Sequence, residues 1–184
     1  MSQKLIAFMN ITVCVVLAAF AVIIGRITPV QSIEAADIIY ETYDEDRAFF
    51  LENDDFKPEM KKIGTGDFYL DAQTADYAVA MLEAAEKNGV KLRVITTHGN
   101  GLALDILSIY CSELSEEFSE TPEFRWLAQN SWRFGFILRY PPGTLEITGI
   151  TFEPWHFRYV GLDAAREITE RGITLEEFLL LPSP

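Results

Sequence analysis

The chain of 184 residues holds two histidines, and both stand in runs dense with reactive side chains. His156 lies in Glu153-Pro154-Trp155-His156-Phe157-Arg158-Tyr159-Val160-Gly161. That run brings a carboxylate, an indole, an imidazole and a guanidinium close together in sequence. His98 lies in Thr97-His98-Gly99-Asn100-Gly101-Leu102-Ala103-Leu104-Asp105. If the two histidines meet in space with Asp105 beside them, they offer two nitrogens and one oxygen. A catalytic zinc takes three such protein ligands and keeps a fourth position for water. The metal draws the pKa of that water toward ~7, so hydroxide exists at neutral pH. A neighbouring carboxylate then moves the proton to the leaving group. Glu153, three residues before His156, is the candidate base. Pro154 stiffens its corner, Trp155 is placed to wall the pocket, and Arg158 and Tyr159 read as structural.

Asp105 interrupts the apolar run from Leu102 to Leu107. An unpaired carboxylate buried there is very costly, so it demands a partner. A metal ion answers that demand, and so does a buried arginine. Other chemistries have no motif to stand on. There is no GxSxG elbow, no phosphate loop, and no histidine near Cys111 in sequence.

The elements around these residues alternate between two periods. Asp71 is placed to cap a helix whose inward face is Ala75, Ala78, Val79, Leu82 and Ala85, closed by Asn88-Gly89. Leu92 to Thr96 reads as a strand, and Leu102 to Leu107 as a second run beyond the His98 loop. The acidic stretch from Glu113 to Glu123 reads as a loop or frayed helix. Thr121-Pro122-Glu123 opens a helix that ends at Gly135. Phe136 to Tyr140 and Ile147 to Phe152 read as a hairpin that delivers Glu153 at its end. Asp163 is placed to cap a helix ending before Gly172, and Thr174 to Glu177 form a capping box for the last one. Hairpins and helices without a βαβ repeat predict an α+β fold, a small antiparallel sheet flanked by helices around the zinc site.

Leu5 to Gly25 is apolar except for Asn10 and Thr12, about the length that spans a hydrocarbon core. It predicts an uncleaved, single-pass membrane anchor over residues 1–26, with Lys4 inside and the remaining domain extracytoplasmic. A removed signal is the alternative, with a poor cleavage site near Ala35-Ala36. Residues 27–66 read as an acidic linker and 67–184 as the folded domain. The net charge of −13 argues against nucleic acid, because phosphate binding needs clustered Lys and Arg. Cys14 and Cys111 are too differently placed to form a disulfide scaffold.

At this point the motifs carry a resemblance. Thr96 to Ile106 resembles the SxHxxGxAxD motif of the VanY-type D-alanyl-D-alanine carboxypeptidases, zinc peptidases of bacterial cell-wall metabolism. Trp126-Leu127, Gly135 to Pro141, Ile147 to Gly149 and Glu153 to Gly161 resemble the family's WL, GFILRYP, ITG and EPWHYRYVG segments. Leu175-Glu176-Glu177-Phe178 is similar to its LEEY ending. The resemblance covers roughly Asp67 to Leu180. It implies zinc on His98, Asp105 and His156, with Glu153 as catalytic base. It also implies a substrate, the peptidoglycan stem peptide ending in D-Ala-D-Ala, from which the terminal D-alanine is removed. Thr96 stands where the family carries a serine and keeps a hydroxyl for the substrate, and Gly99 replaces a glutamine. The family's SGYRS-like segment, with about thirty further residues, has no counterpart between Ile95 and His98, and its substrate-holding arginine has no matching position. The alternative reading is therefore a degenerate relative that binds cell wall or zinc without turnover.

Overall fold

The computed structural model describes residues 57–181, which lie within one compact unit. The expected anchor over residues 1–26, Cys14 and most of the expected linker lie outside the described residues. Among the described residues no helix is long and apolar enough to cross a membrane.

The first element is a hairpin of β1 (Met60–Ile63) and β2 (Phe68–Asp71), in register from Met60 opposite Asp71 to Ile63 opposite Phe68. The folded part therefore begins before residue 67, where the linker was expected to end. Ile63 and Leu70 supply the apolar anchors that an acidic linker would lack. Asp71 then caps α1 (Ala72–Lys87), its carboxylate accepting the N–H groups of Gln73 and Thr74. That satisfies donors which the first turn otherwise leaves open. The buried face is Thr74, Ala75, Ala78, Met81, Ala84 and Ala85. Val79, expected on that face, is exposed. The i, i+3, i+4, i+7 stripe starts at Thr74, which turns Val79 aside.

The main sheet has four antiparallel strands in the order β3 (Leu92–His98), β4 (Ala103–Ser108), β6 (His156–Tyr159), β5 (Phe136–Leu138). Every residue of β4 is buried, as its central place requires. Leu104 and Ile106 share one face with Phe157, Phe136 and Tyr159, and Tyr159 stacks on Tyr77 of α1 at 5.5 Å. The acidic stretch contains a single 3-10 turn, Glu116–Glu120, held by buried Phe118. Thr121 caps α2 (Pro122–Asn130), and a further 3-10 turn ends at Gly135, whose φ of 78° is left-handed.

The hairpin partner of β5 is not Ile147 to Phe152. That stretch contains the end of a short helix, α3 (Leu145–Thr148), stopped by Gly149 at φ 72°, and then irregular backbone. Ile147 and Ile150 are exposed, so their apolar alternation pairs with nothing. The strand forms later, at His156, and Glu153 leads into it rather than ending a strand. α4 (Leu162–Arg171) has Gly161 at its N-cap position, and Asp163 sits in the first turn paired with Arg166. α5 (Leu175–Leu179) carries the expected capping box of Thr174 and Glu177. Ile137, Val160, Ala164, Ala165, Ile168 and Leu175 form the core beneath α4 and α5. The α+β class is as read from the sequence.

Candidate active site

Three strands bring the candidate ligands together. Asp105 on β4 pairs with Thr96 on β3 and with His156 on β6. His98 and Ala103 form the next pair, and Ala103 also pairs with Arg158. Paired residues share a face, so Thr96, His98, Asp105, His156 and Arg158 all project from one side of the sheet. The register of β3 against β4 shifts by one between Val94 and Thr96. Without that shift, Val94, Thr96 and His98 would share the opposite face with Ile106 and Leu104, because a one-residue slip reverses a strand. The irregularity at Ile95 thus turns His98 toward Asp105.

The hairpin that follows is tight. Gly99, Asn100 and Gly101 all have positive φ, at 55°, 55° and 80°. At Gly101 a Cβ would lie 2.4 Å from the backbone nitrogen of Asp71. Only glycine permits this approach, which seats the His98 hairpin against the N-terminus of α1.

Asp105 divides its two oxygens between the histidines. His98 Nε2 lies 2.9 Å from Oδ2, and His156 Nδ1 lies 2.8 Å from Oδ1. Burial disfavours the charged carboxylate, but hydrogen bonds from His156 and then His98, with the charge of both rings, hold its pKa below the ordinary aspartate value. The three donor groups lie within 4.8 Å of one another. Tetrahedral zinc with bonds of about 2.0–2.1 Å holds its donors roughly 3.3 Å apart, which lies inside that limit. His98 Nε2 and His156 Nδ1 both face the Asp105 carboxylate, so they are the nitrogens a metal at this point would take, in their unprotonated form. The donor set, two imidazoles and a carboxylate, therefore fits zinc. His98 is the exposed side of the cluster and His156 and Asp105 the buried side, which leaves an approach from solvent.

Glu153 places Oε2 3.9 Å from His156 Nδ1, with its side chain partly exposed. Its N–H donates to the carbonyl of Tyr140, and its own carbonyl accepts from the N–H of His156. The corner is thus tied at both ends. Pro154 is buried, and Trp155 accepts the N–H of Ile106 at its carbonyl, so the corner is also tied to β4. Thr96 occupies the row of Asp105 and His156. The sequence reading missed Tyr140. Its ring lies 5.1 Å from that of His156 and under the guanidinium of Arg139, making it a wall of the site. The signal was present in the Gly135 to Pro141 run, which was read for its resemblance and not for chemistry.

Residues 95–162 match the family model described as VanY, D-alanyl-D-alanine carboxypeptidase. The chain is 44% identical over 103 residues to a D-alanyl-D-alanine carboxypeptidase of Enterococcus faecalis, covering 56% of this chain and 37% of that protein. It is 42% identical over 101 residues to a bifunctional D-Ala-D-Ala dipeptidase and carboxypeptidase, VanXYC, of Enterococcus gallinarum, covering 52% of each. The chain thus spans between about a third and a half of these relatives. Among solved structures, VanYB in complex with D-alanine-D-alanine superposes with a TM-score of 0.61 at 28% identity, covering 71% of this chain and 92% of that one. A VanY D,D-pentapeptidase variant in complex with Zn(II) superposes with a TM-score of 0.59 at 29% identity, covering 68% and 91%. Residues 95–162, which carry His98, Asp105 and His156 on one sheet face and Glu153 at the corner before β6, are thus similar to the VanY-type family.

Proposed function

We propose that this protein is a zinc-dependent D-alanyl-D-alanine carboxypeptidase that removes the terminal D-alanine from peptidoglycan stem peptides. The observation that carries the reading is the convergence of His98, Asp105 and His156 within 4.8 Å, beside a partly exposed Glu153. Zinc held by those three residues supplies a Lewis acid and a water acidified toward neutrality. Without the metal, Asp105 orients both imidazoles through its two oxygens, so that the same nitrogens and a carboxylate oxygen would face a zinc ion at one point. Glu153 Oε2 takes a proton from the attacking water and returns it to the amine nitrogen as the peptide C–N bond breaks. The leaving group departs as neutral-amine D-alanine. Tyr140 and Trp155 wall the site against bulk water, and the Thr96 hydroxyl is placed to hydrogen-bond the peptide.

A second reading, binding without turnover, rests on one feature: β3 runs continuously from Leu92 to His98, leaving no room for an arginine-bearing insertion. A single experiment separates the two. The zinc-loaded protein is incubated with a pentapeptide ending in D-Ala-D-Ala, and free D-alanine is measured. Release that disappears in Glu153→Gln, with zinc retained, supports the peptidase. Zinc binding with no release by the parent protein favours the binding reading.

A further inference from the structure

A metal-ligating imidazole is usually oriented by a hydrogen bond from its other ring nitrogen. His156 lacks that tie among the described residues. Its Nδ1 faces Asp105 and Glu153, and no described residue accepts a hydrogen bond from Nε2. The orientation of the ring therefore rests on what packs against it. Two rings do so, His98 at 5.2 Å and Tyr140 at 5.1 Å. His98 is the more exposed of the two histidines and is itself a candidate ligand. Tyr140 is the neighbour that no metal would draw away.

Tyr140 is in turn clamped. The guanidinium of Arg139 lies over its ring, 4.9 Å from the centroid. Arg139 is nearly buried, and both of its terminal nitrogens donate to the carboxylate of Glu176 on α5. Its Nε is buried and makes no hydrogen bond to any described residue. The ion pair and the aromatic face are thus what hold the guanidinium. A cation over an aromatic ring gains most where water is excluded. The backbone makes the same connection. The Arg139 N–H donates to the carbonyl of His156 at 3.0 Å, and the Tyr140 carbonyl accepts from the N–H of Glu153 at 3.2 Å. Two consecutive residues therefore touch both the candidate ligand and the candidate base.

Resting on the zinc site proposed above, we propose that Tyr140 is a positioning residue for His156, its ring held in place by the Arg139–Glu176 pair. The chain of contacts runs from the last helix to the metal ligand in the order Glu176, Arg139, Tyr140, His156. The aromatic ring does the positioning, and the hydroxyl has no part in it.

The test reads zinc affinity of the full chain by competition with a chromogenic chelator, which needs no turnover. Tyr140→Leu is expected to weaken zinc binding about tenfold, the lower end for loss of a group supporting a ligand. Tyr140→Phe keeps the ring and stays within about twofold of the parent. Glu176→Gln touches neither ring, yet weakens zinc binding about fivefold through the chain of contacts. Independent losses would multiply to about fiftyfold in the double variant; coupled ones leave it within about twofold of Tyr140→Leu alone. The visible spectrum of the Co(II)-substituted protein is expected to change in Tyr140→Leu and to match the parent in Tyr140→Phe. Parent-like affinity in Tyr140→Leu, a loss in Tyr140→Phe equal to that in Tyr140→Leu, or multiplying losses would overturn the proposal. Should Tyr140→Leu not fold, unchanged affinity in Glu176→Gln overturns it. Zinc binding without release of D-alanine sinks the peptidase reading and leaves this one standing, while a parent protein that binds no zinc overturns both.

Discussion

Asp105 shows how one residue's surroundings state its chemistry. It is buried, yet both oxygens are taken by imidazoles, and its pKa is held below the ordinary value despite burial. A metal turns this arrangement into a ligand set. Asp105→Asn keeps the shape and removes the anionic oxygen. It is expected to weaken zinc affinity by at least about 10²-fold, above the usual effect of losing an outer-shell partner. Competition with a chromogenic chelator measures this, and unchanged zinc affinity would remove Asp105 from the ligand set. His98, Asp105, Glu153 and His156 were legible in the sequence because their chemistry is rare in this chain: two histidines, and an acid inside an apolar run. Tyr140 was not, because a tyrosine near a strand has many ordinary structural uses, and only its ring contact with His156 shows that it borders the site.

At the scale of elements, the site depends on the short hairpin between β3 and β4. Its position is set by contact of Gly101 with the backbone of Leu70 and Asp71. Gly101→Ala forces a Cβ against that backbone at a φ of 80°. The left-handed conformation costs about 1–2 kcal/mol for an L-residue, and overpacking adds roughly 1–3 kcal/mol. The variant is expected to lose about 2–5 kcal/mol in urea unfolding and to bind zinc more weakly, since His98 moves with the hairpin. Stability within about 0.5 kcal/mol of the parent would contradict the contact. This device was half visible in sequence. The two glycines flanking Asn100 announced a tight path, but the partner across it was not nameable. The register shift at Ile95 was invisible, because Leu92 to Thr96 reads as a regular strand from its residue types. The misplaced strand at Ile147 has the same origin. Apolar alternation there matched a strand, while Gly149 and the pairing of β6 with β4, distant in sequence, decided otherwise.

For the molecule as a whole, helices α4 and α5 close the side of the sheet beside the site, and one ion pair fastens them. Arg139, just past β5 and nearly buried, donates to both carboxylate oxygens of Glu176 on α5 at 3.0 and 2.5 Å. Burial alone would raise the Glu176 pKa. The hydrogen bonds from Arg139 outweigh it, and the net shift is downward. A carboxyl whose folded pKa lies below its unfolded value stabilises fully above the unfolded value, about 4.3, and loses that stabilisation as pH falls through the folded one. Glu176→Gln removes the charge and leaves the Arg139 guanidinium short of a partner. The expected cost at pH 7 is about 1–3 kcal/mol, the range for hydrogen bonds to charged groups. The pH dependence has the same sign as that of Asp105, whose lowered pKa acts in the same acid range. Both proteins lose the Asp105 contribution on acidification, so it cancels in their difference. The gap between parent and Glu176→Gln in urea unfolding is therefore expected to be widest at pH 7 and to narrow steadily below about pH 4. A gap that stays constant on acidification would mean that Glu176 stabilises the closing helices by packing, not by its charge.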